Sequence, residues 1–340
     1  RSTLFPYTTL FRSGSAPGNG KPVLSTAPDV LAGRGRRTVH LGDLLFGGSA
    51  RASSLIIVVV VLIIGAFLLG NAWQPLLDNT ANFFTSTTFD SSSRPPHFGV
   101  AALLWTTVLS SLIALLIAVP VAVGIALLLT QYVGGRISRW IGFVIDLLAA
   151  VPSVIFGLWG IKVLGPALQP VAHWIQAHLG WFPLFGSTQV TSPGTVFTAS
   201  LVLALMILPI ITAVTRDVFA QTPREQIEAA LALGATRWEV IRMAVLPYGR
   251  SGATAAAMLG LGRALGETIA VMLILSASSF DVSVFSGGET FASVIARNAA
   301  EFDTTYKAGI YISAGLVLFV LTFAVNALAR IIAERGKAKS

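Results

Sequence analysis

The chain has 340 residues, 54% hydrophobic and only 11% charged, with a mean hydropathy of +0.77, where a soluble domain carries about 25% charged residues. That composition belongs to an integral membrane protein. The absence of cysteine excludes disulfide scaffolds, thiolate metal sites and cysteine nucleophiles, and in such a chain the formal charge of +8 records which loops stay in the cytoplasm rather than a nucleic-acid partner.

The first thirteen residues, RSTLFPYTTLFRS, resemble translated sequencing-adapter DNA and are set aside from fold reasoning. Residues 14–51 are rich in Gly, Ser, Pro and Arg without a sustained apolar period, which predicts a flexible cytoplasmic arm. GSAPGNGKP within it is no phosphate loop, because Pro22 follows Lys21 where Ser or Thr is needed. Six apolar runs then reach the roughly 20 residues that a membrane-spanning helix needs. They cover residues 53–73, 100–129, 140–164, 195–215, 253–276 and 308–332, predicting an all-α polytopic membrane protein with six transmembrane helices. With the amino end placed in the cytoplasm, eighteen of the 23 Lys and Arg fall in cytoplasmic segments and three, Arg94, Arg297 and Lys307, in external ones. Both termini are therefore expected inside.

Pro120 and Pro152 interrupt the second and third runs and predict kinks or breaks there. The segment from Gly165 to Gly194 has no acidic residue and no Lys or Arg, and suits a half-buried interfacial helix on the external side. Its His173 and His178 stand at i, i+5 on different helix faces with no third ligand near, so no metal site is expected.

The loop between the fourth and fifth runs, residues 221–249, carries two helix starts. Thr222, Pro223 and Glu225 supply one set of capping residues; Thr236 and Glu239 supply another. Gly234 suits the left-handed turn between them, and Pro247 is expected to stop the second helix. Ile227, Ala230 and Leu231 share one face of the first helix, and Trp238, Ile241 and Val245 one face of the second. A short cytoplasmic hairpin follows, either docked in a groove of a soluble partner or lying flat on the bilayer.

Glu228, Ala229, Ala230 and Gly234, followed by Leu246 and Pro247, resemble the EAA loop of binding-protein-dependent ABC importer permeases, with Ala244 in place of the pattern's isoleucine. AVPSVIFGLWG (150–160) and GLGRALGETIAV (260–271) are similar to permeases of the high-affinity phosphate importer, closest to the PstC type. The resemblance implies the fold of type I ABC importer permeases and a hairpin that couples to a cytoplasmic ATPase. Its implied partners are a second permease of the PstA type, an ATPase dimer of the PstB type and an external phosphate-binding protein of the PstS type. It implies bacterial inner-membrane localisation, a permease domain over residues 52–335 and a cytoplasmic tail over 336–340. ATP and magnesium would be used by the ATPase, with no cofactor on this chain and no catalysis of its own.

The fifth run carries Arg263 and Glu267. An ionised side chain at mid-bilayer costs about 3 kcal/mol, and i, i+4 spacing would let the two share a helix face. Cation before anion is the weaker order for simple helix stabilisation. Gly260, Gly262 and Gly266 would allow close approach of another helix. Two readings stand: a substrate path, in which Arg263 attracts an oxyanion and Glu267 accepts a hydrogen bond from the proton that phosphate carries and sulfate lacks, or an internal ion pair that sets helix register. Thr268 and Ser153 are candidates for the same path. GLGRALG lacks the strand and spacing of a dinucleotide fingerprint. The expected function is a phosphate permease; a sulfate or molybdate permease and an ATPase-independent ion channel are the alternatives.

Overall fold

The structure, a computed structural model, describes residues 41–93, 95–186 and 192–337. The adapter-like stretch and residues 14–40 of the expected arm lie outside the described residues, as do residues 338–340 of the tail. The chain divides into two units, Arg1–Ile57 and Val58–Ser340.

Helix α1 (Leu41–Asp78) leads to a short antiparallel ladder of β1 (Phe89–Asp90) and β2 (His97–Phe98), with Phe89 opposite Phe98. Next come α2 (Ala101–Leu127), extended by a π turn at Leu128–Tyr132, and α3 (Gly135–Ala149). Helices α4 (Ser153–Trp159) and α5 (Gly165–Leu179) are joined by a π turn at Gly160–Leu164, and α6 (Pro183–Gly186) is one short turn. Helix α7 (Val196–Ala220) precedes α8 (Arg224–Ala232) and α9 (Arg237–Val240), and a π turn at Ile241–Val245 runs on into α10 (Leu246–Gly266). Helices α11 (Ile269–Ile274), α12 (Phe291–Arg297) and α13 (Thr305–Lys337) complete the order.

Among the described residues five helices are long and apolar enough to cross a membrane: Gly48–Asp78, Ala101–Tyr132, Ser153–Leu179, Val196–Ala220 and Thr305–Ile331. Four match predicted runs directly. The run at 140–164 does not: Pro152 disfavours the helical conformation at Val151 and splits it into the one-sided helix α3 and the span beginning at Ser153. That span continues through Gly165–Leu179, the segment expected as a separate interfacial helix. Pro120, by contrast, sits inside an unbroken α2. Leu41–Arg51, expected as arm, is already helical, because a long apolar helix propagates cooperatively into its flanks. The run at 253–276 breaks after Gly266 into α10 and α11.

Helix α7 is the most buried of the spans. Its N-cap Thr195 accepts the Thr198 N–H at 3.3 Å, and the Ser200 and Thr212 hydroxyls return to the Val196 and Leu208 carbonyls at 2.7 Å, which keeps polar atoms satisfied in an apolar core. Helix α2 meets the core with a seam of Ala114, Ala118, Ala122 and Ala126, each fully buried, at a four-residue repeat that lies on one helix face. Helix α10 approaches α7 through Gly260, where a Cβ would stand 2.6 Å from Ile211 Cδ1.

Candidate functional site

Arg263, Glu267 and Thr268 gather at the end of α10, but not as a shared helix face. The helix stops at Gly266, and Glu267 turns extended at φ −68° and ψ 125°. Its carboxylate is used locally: Oε1 accepts the Ala270 N–H in the first turn of α11 at 3.3 Å, where a negative group is favoured by the helix dipole. Thr268 Oγ1 donates to the Gly266 carbonyl at 3.1 Å. Among the described residues Arg263 and Glu267 form no ion pair, so the register reading loses its contact.

Arg263 instead lines a cavity of about 570 Å³ with Ile210 of α7, Ala255, Met258, Leu259 and Gly262 of α10, and Asn326 of α13. Its Nε is buried and has no hydrogen-bond acceptor among the described residues. A buried donor held this way carries a desolvation penalty that no hydrogen bond offsets among the described residues. Asn326 was not singled out in the sequence; a carboxamide inside the last apolar run, where it can both donate and accept, is the signal that would have found it. Glu267, Thr268 and Ser153 do not line this cavity. Gly262 and Gly266 have open space where a Cβ would stand, so of the expected glycine face only Gly260 is used for close packing within the chain. A further hollow of about 440 Å³ on α3 is walled by Arg136, Arg139, Trp140 and Phe143. Its walls come from one amphipathic helix, which fits a membrane interface better than a substrate.

Beyond α11, Arg297 at the end of α12 binds Glu289 Oε1 through Nε at 2.9 Å. Its Nη2 donates to the carbonyls of Met272 at 3.1 Å and Leu275 at 2.9 Å. Burial pushes the Glu289 carboxyl above its ordinary range, against the pull of Arg297.

The hairpin forms with two corrections. Gly234 takes φ +84° as expected, and Thr236 and Glu239 form the reciprocal capping box. Thr222, however, spends its hydroxyl on the Phe219 carbonyl at 2.9 Å, and α8 begins without a side-chain cap. Pro247 does not end the second helix. The chain runs from α9 through the π turn, where Leu246 N–H reaches back to the Ile241 carbonyl, into α10; the first turn of a helix tolerates a missing donor. Glu228 and Ala229 are exposed and Ala230 is half-buried, with Leu231, Leu233, Trp238 and Met243 also open to the surroundings. At the root, Val245 and Leu246 pack with Phe219 of α7 and with Ala126 and Val123 of α2, and Gly249 leaves room only for the Phe219 ring.

Residues 118–337 match the family model described as binding-protein-dependent transport system inner membrane component. The chain is 57% identical over 302 residues to the phosphate transport system permease protein PstC 2 of Mycobacterium tuberculosis, covering 87% of this chain and 93% of that one. It is 36% identical over 315 residues to a phosphate transport system permease protein PstC of Mesorhizobium japonicum, covering 89% and 94%. Among solved structures, a bacterial alginate ABC transporter in complex with a pentasaccharide-bound periplasmic protein aligns at TM-score 0.53 and 15% identity, over 87% of this chain and 98% of that one. An inward-facing MetNI methionine ABC transporter aligns at 0.52 and 16%, over 69% and 96%.

Proposed function

The chain belongs to the family of binding-protein-dependent transport system inner membrane components, and from that premise we propose how it works as the permease subunit of an ATP-driven importer of inorganic phosphate. The observation that carries the mechanism is Arg263: a guanidinium with a buried, unpaired Nε on the wall of a cavity between three helices. Such a group gains most from an anion passing by, because its planar donors match two phosphate oxygens at once. Asn326, which lines the same cavity, offers both a donor and an acceptor. Glu267, one turn on, holds α11 in place and can turn to accept a hydrogen bond from the proton that phosphate still carries.

Both termini and the hairpin at 221–249 belong on the cytoplasmic side, and the stretch containing Glu289 and Arg297 on the external side. A second permease of the PstA type completes the pore, and an external binding protein of the PstS type delivers the ion. Two ATPases of the PstB type bind ATP and magnesium and receive the hairpin on Glu228, Ala229, Ala230 and the exposed apolar side chains near Gly234. Val245, Leu246 and Phe219 carry that movement into α2, α7 and α10. A partner can shift inward and outward states only by binding them differently, and this packed root is where the difference is felt.

Phosphate uptake by the assembled importer tests the path. Losing a charge-assisted contact worth about 1.5–3 kcal/mol should lower uptake about ten- to a hundredfold in Arg263→Gln. Wild-type uptake in that variant, with normal assembly, would overturn it, and wild-type uptake in Glu267→Gln would remove the carboxylate's part.

A further inference from the structure

Helix α11 is six residues long and is held at both ends by charged side chains, one just ahead of it and one distant in sequence. Glu267 receives its first turn at Ala270, and Arg297 donates to the Met272 and Leu275 carbonyls at its far end. The last carbonyls of a helix lack internal partners and carry partial negative charge, so a guanidinium is favoured there twice over. Arg297 is itself held by Glu289 at 2.9 Å. One side chain thus ties together α12, the loop before it and the end of α11. Laterally α11 has little freedom: at Gly157 of α4 a Cβ would stand 2.9 Å from Ala270 Cα, and at Gly160 it would stand 3.0 Å from Ile274 Cδ1.

We propose that Arg297 is a positioning residue for transport, fixing α11 from the external side so that the helix break at Glu267 stays in register one turn beyond Arg263. The inference rests on the importer reading. Glu289 sets the strength of the hold. The groups around its carboxylate are Arg297, the Tyr311 phenol of α13, and Asp90 and Asp281, which line the same external cavity. Because burial raises the Glu289 carboxyl, its contribution to folding is present below the ordinary carboxylate range and is lost as pH rises through the raised value. Acid therefore leaves the fold intact at this point while removing the charge that grips Arg297.

Phosphate uptake by the complete importer, measured from about pH 8 to about pH 5 outside, tests this with Arg297→Gln, Arg297→Lys and Glu289→Gln. Arg297→Gln should lower the maximal rate about tenfold with the KM little changed, and Arg297→Lys should restore most of it. Glu289→Gln should fall below wild type at about pH 8, and the ratio of the two, in which the ionisation of phosphate itself cancels, should rise toward the acid side. An Arg297→Gln importer that assembles fully and keeps the wild-type maximal rate overturns the inference. Should that variant fail to assemble, Glu289→Gln decides, and a rate equal to wild type at about pH 8 overturns it. Loss of uptake in Arg263→Gln alongside unaffected Arg297→Gln removes only this inference; unaffected uptake in Arg263→Gln removes the path itself.

Discussion

At the scale of single residues, Arg263 shows why a costly group persists in an apolar segment. A register pair would have satisfied it with Glu267, yet the carboxylate caps α11 and the guanidinium faces a cavity. Arg263→Lys keeps the charge and loses the planar fork, so its uptake should fall between wild type and Arg263→Gln in the same transport assay. The glycines differ sharply from one another. Gly234 sits at φ +84°, where a residue with a Cβ pays about 1–2 kcal/mol; Gly234→Val should loosen the hairpin turn, seen as faster amide exchange there. Gly262→Ala meets open space and should leave assembly unchanged, whereas Gly260→Leu would drive into Ile211 and cost about 1–3 kcal/mol as overpacking. Thermal unfolding of the purified complex compares the two.

At the scale of elements, the hairpin pairs a polar frame with unsatisfied apolar tips. Leu233 is 90% exposed and Trp238 60%, on helices that together have no core of their own. Leu233→Asp should reduce co-purification of the ATPase while leaving the amount of permease in the membrane unchanged. The capping box adds a pH signature: hydrogen bonds from the Thr236 N–H and hydroxyl hold the Glu239 carboxyl below its ordinary range. A depressed carboxylate contributes stability above the ordinary range and loses it as pH falls through the lowered value. Amide protection over 236–240, taken relative to the intrinsic exchange rate at each pH, should therefore fall in acid, and Glu239→Gln should show the low protection throughout. The second cap and Gly234 were readable because capping chemistry is local. Thr222 was misread for the same reason: its hydroxyl had a nearer acceptor in the end of α7.

At the scale of the whole molecule, apolar run length located four of the spans, since crossing lipid is a demand on composition that needs no knowledge of neighbours. The other two runs depended on single residues acting on backbone geometry: Val151 before Pro152 divides one, and the turn at Glu267 divides the other. Asn326 stayed invisible because its meaning comes from lining one cavity with residues of α10, a neighbourhood that no spacing within α13 encodes. Arg297 was legible only as an external charge, for its partners lie at Glu289 and in the carbonyls of α11. The wide turn at Ile241–Val245 has a rotational consequence. A π turn carries one residue more than an α turn, so deleting a single residue there closes it as α-helix with Trp238 facing nearly as before, whereas the same deletion inside α10 would rotate everything ahead of it by about 100°. The wide turn is slack in the rod, and a lost residue there spares the elbow's bearing.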